Sequence, residues 1–314
     1  MEKITVIVPC YNEEAALHYY YKEMSRVMDE MNDVDFELLL VNDGSKDNTL
    51  QIIRELAAQK DYIRYLSFSR NFGKEAAMYA GFCNTTGDYV AIMDADLQDD
   101  IDAIDGMLEK YAEGCDIVYG VRNARDTDTA FKRKTAEGYY KVMGLLGADI
   151  VYNHADYRLM SKRALDGLEQ FKEVNLFLRG VVPMIGYKSD KVYYARKERF
   201  AGESKYPLKK MLAFAWEGLT SLSVKPIRMI MTLGSAIFLV SIAMLIYSLV
   251  RHAMGATMVG WTSTVVSIWA IGGLQLLAIG IIGEYIGKVY LETKQRPKFI
   301  VEEYLKDEDA EKKN

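Results

Sequence analysis

Tyr89-Val90-Ala91-Ile92-Met93-Asp94-Ala95-Asp96-Leu97-Gln98-Asp99-Asp100 joins an apolar strand directly to a dense set of carboxylates. In an α/β protein the carboxyl ends of buried parallel strands are where ligands sit. Several carboxylates packed at one such end repel each other and lose hydration unless a cation stands among them. Oxygen-only donors suit a hard divalent ion, Mg2+ or Mn2+, and such an ion commonly serves a diphosphate. A solvated acidic turn capping the next helix is the ordinary alternative for an isolated D-x-D.

Working outward, strand-like and helix-like stretches alternate. Ile4–Val8 reads as a strand, Glu13–Met31 as a helix and Phe36–Val41 as a second strand. Asn42-Asp43-Gly44-Ser45 then forms a turn that starts a helix near Asp47. A strand at Ile63–Phe68, a helix at Gly73–Asn84, the strand Tyr89–Met93 and a fifth strand at Ile117–Tyr119 complete the pattern. Strands separated by helices imply crossover connections and a mostly parallel, doubly wound, Rossmann-like sheet. Glu13, Asp43, Asp94 and Asp96 then share one edge of that sheet.

The chain has 314 residues, half of them hydrophobic, and a net charge of −5. With no basic excess it does not read as a nucleic-acid binder. Cys10, Cys83 and Cys115 are few and far apart, as expected of reduced thiols rather than a disulfide framework. The apolar run Ile4–Val8 is too short for a signal peptide and ends at Pro9. A glycine-rich dinucleotide loop and a G-x-x-x-x-G-K-[ST] phosphate loop are both missing, and three scattered histidines supply no metal cluster or Ser-His-Asp triad.

Apolar residues concentrate late in the chain. Met229–Val250 and Ala253–Gly283 carry no charge, and each is long enough to cross a bilayer core of ~30 Å as a helix. Lys209, Lys210, Lys225 and Arg228 precede the pair, and Lys288, Lys294, Arg296 and Lys298 follow it, while only Arg251 and His252 lie between. The positive-inside rule predicts a multi-pass inner-membrane protein with both termini and the soluble domain in the cytoplasm. The expected divisions are 1–205 for that domain, 206–226 for an interfacial helix, 227–290 for two transmembrane helices and 291–314 for a cytosolic tail. Leu208–Leu222, basic and with Trp216, has the make-up of the interfacial helix. Asp307–Asn314 is of mixed charge and is expected to be disordered. Gly280, Gly283 and Gly287 favour close helix packing in the second span, and Gln275 is placed to bond across helices.

Ordered motifs run through the chain: V-P-C-Y-N-E-E at Val8–Glu14, V-N-D-G-S-K-D-N-T at Val41–Thr49, S-R-N-F-G-K at Ser69–Lys74 and D-A-D-L-Q-D at Asp94–Asp99. D-Y-R-L at Asp156–Leu159, R-F-A-G-E-S-K-Y at Arg199–Tyr206 and S-V-K-P at Ser223–Pro226 follow. With these motifs the chain resembles the inverting family-2 glycosyltransferases of GT-A fold, and among them the polyprenyl-phosphate enzymes such as bactoprenol glucosyltransferases and dolichyl-phosphate mannose synthases. The resemblance implies transfer of one hexose from a UDP-sugar, with UDP-glucose favoured, to undecaprenyl phosphate at the cytoplasmic membrane face. N-acetylglucosamine, galactose or mannose in place of glucose remain alternatives. Without a Q-x-x-R-W motif a processive polysaccharide synthase is disfavoured, and intact Asp94, Asp96 and Gln98 speak against a decayed membrane scaffold.

The resemblance also distributes roles. Pro9, Tyr11, Glu13 and Asp43 would hold base and ribose, and Asn71, Gly73 and Lys74 would complete the nucleotide pocket. Asp94, Asp96 and Gln98 would ligate Mg2+ or Mn2+, and Arg199 and Lys205 would close over the diphosphate. Arg122, Arg125, Lys132 and Arg133 would bind the acceptor phosphate, although Glu137 stands where the family often has a hydroxyl residue. Asp96, Asp156 and Arg158 are the catalytic candidates, and homo-oligomers are expected. Asp156 is the family's candidate base. A phosphate monoester, with a second pKa near ~6, is already nucleophilic at neutral pH, so Asp156 is expected to position the acceptor or a sugar hydroxyl through Arg158.

Overall fold

A computed structural model describes residues 2–123, 154–174, 177–195, 220, 225–254 and 260–305. Its strands are β1 (Lys3–Cys10), β2 (Asp35–Asn42), β3 (Ile63–Phe68), β4 (Tyr89–Ile92), β5 (Ile117–Arg122), β6 (His154–Ser161), β7 (Ser189–Tyr194) and β8 (Val301–Leu305). The helices are α1 (Leu17–Glu30), α2 (Thr49–Gln59), α3 (Lys74–Asn84), α4 (Ala103–Ala112), α5 (Lys162–Leu168), α6 (Leu178–Met184), α7 (Lys225–Ala253) and α8 (Trp261–Lys294).

All strands join one sheet in the order β7-β5-β6-β4-β1-β2-β3-β8. Alternation along each strand decides which side chains face which layer. Val6, Val8, Leu38 and Leu40 pack with Leu17, Tyr20 and Met24 of α1, Ile53 of α2 and Met107 of α4. Ile7, Leu39, Val41, Val90 and Ile92 face the other way, toward Ala77 and Met78 of α3, Leu165 of α5 and Val181 of α6. Each fully buried aliphatic side chain contributes about 1.5–3 kcal/mol, so these two faces hold the domain together. Gly81 lets α3 lie close on β1, because a Cβ there would sit 2.4 Å from Ile7 Cγ2.

The sheet is mostly parallel, as expected, with four parallel and three antiparallel pairings. The block β4-β1-β2-β3 and the pair β5-β7 are parallel. β6 runs antiparallel to both β4 and β5, and β8 runs antiparallel to β3. The reversal of β6 has a direct result: its first residues, rather than its last, lie at the edge where β4 ends. Ile92 pairs with Arg158, so Asp156 stands beside the start of the acidic stretch.

Beyond the sheet, α7 and α8 are unlike the domain helices. Met231, Leu239, Val240 and Ile246 of α7 and Leu276, Leu277, Ile279 and Ile286 of α8 are all more than half exposed. Apolar side chains standing outward along a helix need a cover other than water. Among the described residues, Ile271–Lys294 is long and apolar enough to cross a membrane, with mean hydropathy 1.4. The expected interfacial helix, apart from Thr220, and the tail after Leu305 lie outside the described residues.

After α8 the chain returns to the domain. β8 adds to the outer edge of β3, Arg54 grips Glu303, Tyr65 also bonds Glu303, and Arg64 bonds Tyr304. The stretch expected as a free cytosolic tail thus includes a strand of the sheet.

Candidate active site

Two loops at the carboxyl edge of β1 and β2 are joined through polar side chains. Asn12 N–H donates to Ser45 Oγ at 3.1 Å and Lys46 N–H to Asn12 Oδ1 at 2.9 Å. Glu13 N–H donates to Thr49 Oγ1 at 2.8 Å, and Asn48 N–H to Glu14 Oε2 at 3.0 Å. This brings Tyr11 and Glu13 to the edge that carries Asp43. Pro9 costs the sheet little, since β4 already ends opposite Ile7 and asks no N–H of it.

Asp43 is buried and gathers the next loop around itself. It accepts from Asn71 Nδ2 at 2.9 Å, Phe72 N–H at 2.6 Å and Gly73 N–H at 3.0 Å. Burial pushes its carboxyl up, and the Phe72 and Gly73 N–H groups pull it partly back. Gly44, at φ +61°, permits this approach, because a Cβ there would meet the Arg70 carbonyl carbon at 2.3 Å. Asp43 therefore caps the start of α3 from a distant loop.

The residue that α3 starts with is Lys74, and its ammonium joins two strand ends. Nζ lies 2.7 Å from Asp94 Oδ1 and 2.6 Å from Asp156 Oδ2. Arg179, near the start of α6, adds a two-pronged contact, Nε to Asp156 Oδ1 at 2.8 Å and Nη2 to Oδ2 at 3.0 Å. Arg158 is fully buried, with Nη2 3.6 Å from Asp156 Oδ1, Nε donating to the Asp156 carbonyl and Nη1 to that of Leu178. Glu75 accepts the Leu178 N–H at 3.0 Å and so ties α3 to α6.

The electrostatics follow from these distances. Burial favours a neutral Asp156, but Lys74 and Arg179 outweigh it and hold the carboxyl well below the usual range. Burial likewise works against the Lys74 ammonium, and Asp156 and Asp94 keep it well above the ordinary lysine value. Glu75 is pushed up to about 7, first by burial and then by the Asp156 charge. Lys74 and Arg179 thus favour the ionised form of Asp156, and buried Arg158 stands behind it.

Asp94, Asp96 and Gln98 follow β4 on a partly exposed loop. Leu97 between them has φ +57°, a left-handed conformation that a leucine rarely adopts, and Gln98 N–H donates to Asp96 Oδ1 at 3.1 Å. Strain of this kind concentrates at working sites. Two carboxylates and an amide oxygen fit Mg2+ or Mn2+, which takes few protein ligands when a diphosphate supplies others. Among the described residues no three His, Cys, Asp or Glu side chains gather to enclose an ion unaided. Of Asp94, Asp96 and Gln98, Asp94 also pairs with Lys74.

Asp99, which had no role in the sequence, is buried and accepts from Arg122 Nη2 at 2.8 Å and from the Tyr194 hydroxyl at 2.5 Å. Arg122 thereby fastens the acidic loop to the ends of β5 and β7. Arg125, Lys132, Arg133, Arg199 and Lys205 lie outside the described residues. Sequence reasoning missed Arg179, Glu75 and Asp99. Arg179 did leave a signal, as a lone charge within the apolar run Phe177–Val182, since such a charge needs a partner.

The carboxylates thus gather at one edge of a mixed α/β sheet. Residues 5–168 match the glycosyl transferase family 2 description, and the chain belongs to that family. An uncharacterized glycosyltransferase of Bacillus subtilis, YkoT, is 48% identical over 306 residues, covering 95% of this chain and 91% of the relative. A bactoprenol glucosyl transferase of Shigella phage SfX is 42% identical over 304 residues, or 95% of this chain and 98% of the relative. A prophage bactoprenol glucosyl transferase homolog of Escherichia coli is 40% identical over 309 residues, or 97% and 100%.

Proposed function

We propose that this protein transfers one glucose from UDP-glucose to undecaprenyl phosphate, with inversion, at the cytoplasmic face of the inner membrane. The observation that carries the reading is Lys74, whose ammonium touches both Asp94 and Asp156; in this reading Asp94 would face the donor and Asp156 the acceptor. Near end-to-end similarity to proteins named bactoprenol glucosyl transferase supports the choice of sugar and lipid.

The acceptor phosphate arrives ionised, so its oxygen attacks the anomeric carbon without a base. The bond from that carbon to the diphosphate oxygen breaks, its electron pair leaves with UDP, and the product is the glucosyl lipid phosphate. A divalent ion held by Asp96 and Gln98, with Asp94 beside them, would clamp the diphosphate and neutralise the leaving charge. Pro9, Tyr11, Glu13 and Asn71 would line the nucleotide site around Asp43. Lys74 and Arg179 keep Asp156 ionised and fixed, so that it orients a sugar hydroxyl or the acceptor and accepts no proton. Arg122, Arg125, Lys132 and Arg133 would receive the lipid phosphate, with Arg199 and Lys205 closing over the donor.

In this reading α7 and α8 form a transmembrane hairpin with both ends in the cytoplasm, and subunits associate as homo-oligomers. The return of β8 to the sheet supports a common side for the domain and the end of α8. The test is to incubate purified protein with undecaprenyl phosphate, Mg2+ and a panel of nucleotide sugars, and to identify the lipid by mass spectrometry. A hexosyl lipid phosphate formed with UDP-glucose is expected. Product formed only with another nucleotide sugar would overturn the assignment of glucose.

A further inference from the structure

The end of α8 reaches the supports of Asp156. At ~1.5 Å per residue, the 34 residues of α8 extend ~51 Å, well beyond a ~30 Å hydrocarbon core. Its charge-free run ends at Gly283, and the last turns carry Glu284, Lys288, Glu292 and Lys294. There Glu292 takes hold of the domain, its Oε2 and Oε1 accepting the Val174 N–H at 2.8 and 3.1 Å. From Val174 the chain runs into α6, which bears Arg179.

The residues after α8 grip the other support. Lys298 Nζ stands 3.9 Å from the centre of the Tyr79 ring on α3, and Phe299 stacks on Phe68 at 5.2 Å. Ser69 N–H donates to the Ile300 carbonyl at 3.1 Å, just ahead of the loop that leads to Lys74. Of the three cations around Asp156, Lys74 lies on the helix that Lys298 contacts, and Arg179 on the helix that follows Val174 in the chain.

We propose that Glu292 is a positioning residue for the transfer reaction: it couples the emergent end of α8 to α6, and through Arg179 it sets the Asp156 clamp. Catalytic geometry is sensitive at this scale, since a displacement of about 1 Å can cost up to ~100-fold in rate. The kinetic arm of the test rests on the reaction proposed above, while the exchange arm does not.

The experiment uses the full chain in lipid nanodiscs. Glu292→Ala and Val174→Pro each remove the same hydrogen bond from one side, and Glu292→Gln keeps an acceptor oxygen. Backbone hydrogen exchange across residues 177–184 is expected to quicken about 10-fold in Glu292→Ala, with β1 and β2 unchanged. With UDP-glucose and undecaprenyl phosphate, kcat is expected to fall about 10-fold at constant donor KM, and Glu292→Gln to recover most of the loss. The double variant should be no worse than the worse single one. Unchanged exchange in α6, or additive losses, would overturn the proposal. If wild-type protein made no glucosyl lipid, the reaction assignment would fail and the exchange result would still decide whether Glu292 couples α8 to α6.

Discussion

Asp96 and Asp156 stand at the same edge of one sheet and live in different surroundings. Asp96 lies on a partly exposed loop bent through a left-handed leucine. Asp156 is 4% exposed and faces Lys74, Arg179 and Arg158. In the proposed reading the first carboxylate helps to hold a divalent ion, while the second already has its cations built in. The contrast sets a partly exposed carboxylate beside a buried, cation-clamped one at a single sheet edge.

Asp96→Ala tests the first half and should show the largest effect. Turnover is expected to drop about 1,000-fold, with a folding stability change within about 0.5 kcal/mol, as seen by product formation and thermal melting. EDTA should produce the same loss in the unmodified protein.

Asp156→Asn tests the second half. It leaves Lys74 and Arg179 facing a neutral group, so it should cost both stability, about 2 kcal/mol given that each cation is about one-third exposed, and rate, about 100-fold. Raising the pH should not restore the rate, since in the proposed reading the ionised carboxylate positions and takes no proton. A rate that climbs back in alkali would give Asp156 the role of proton acceptor after all.

Arg179→Lys sharpens the comparison further. A lysine keeps the charge and loses the fork, so about a 10-fold drop in kcat is expected with Asp156 still ionised. An unchanged kcat would mean that charge alone suffices.

Glu75 gives the smallest effect and a signed one. Its folded pKa of about 7 lies above the ordinary 4.5, so the folded protein binds this proton more tightly than the unfolded chain. The resulting stability is complete below the unfolded pKa and is lost as pH rises through the folded one. Glu75→Gln should flatten that decline by on the order of 1 kcal/mol, read from urea midpoints at about pH 5 and about pH 8.

Much of this was legible in the sequence where the pattern is local. Every expected strand from Ile4 to Tyr119 is present, because alternating or continuous apolar runs bounded by turns are enough to define it. β6 was hidden, since His154, Asp156 and Arg158 alternate polar groups into a charged interior that no hydropathy pattern announces. β8 was hidden by its charges, Glu302 and Glu303, and the partners of Glu303 lie far back in the chain at Arg54 and Tyr65. The acidic motif declared itself at once. Its counterweights did not, because Lys74 and Arg179 meet Asp156 only after two helices have packed on the sheet.

β8 also has a consequence for how the molecule is made. The ribosome finishes α7 and α8 before it reaches Val301, so β3 must wait with an unpaired edge while these two long helices are made. Completion of the sheet then reports that both long helices have already been synthesised. A nascent chain stalled before Val301 would present that bare edge to its neighbours, and aggregation of such truncated chains is the expected mark of interrupted biogenesis.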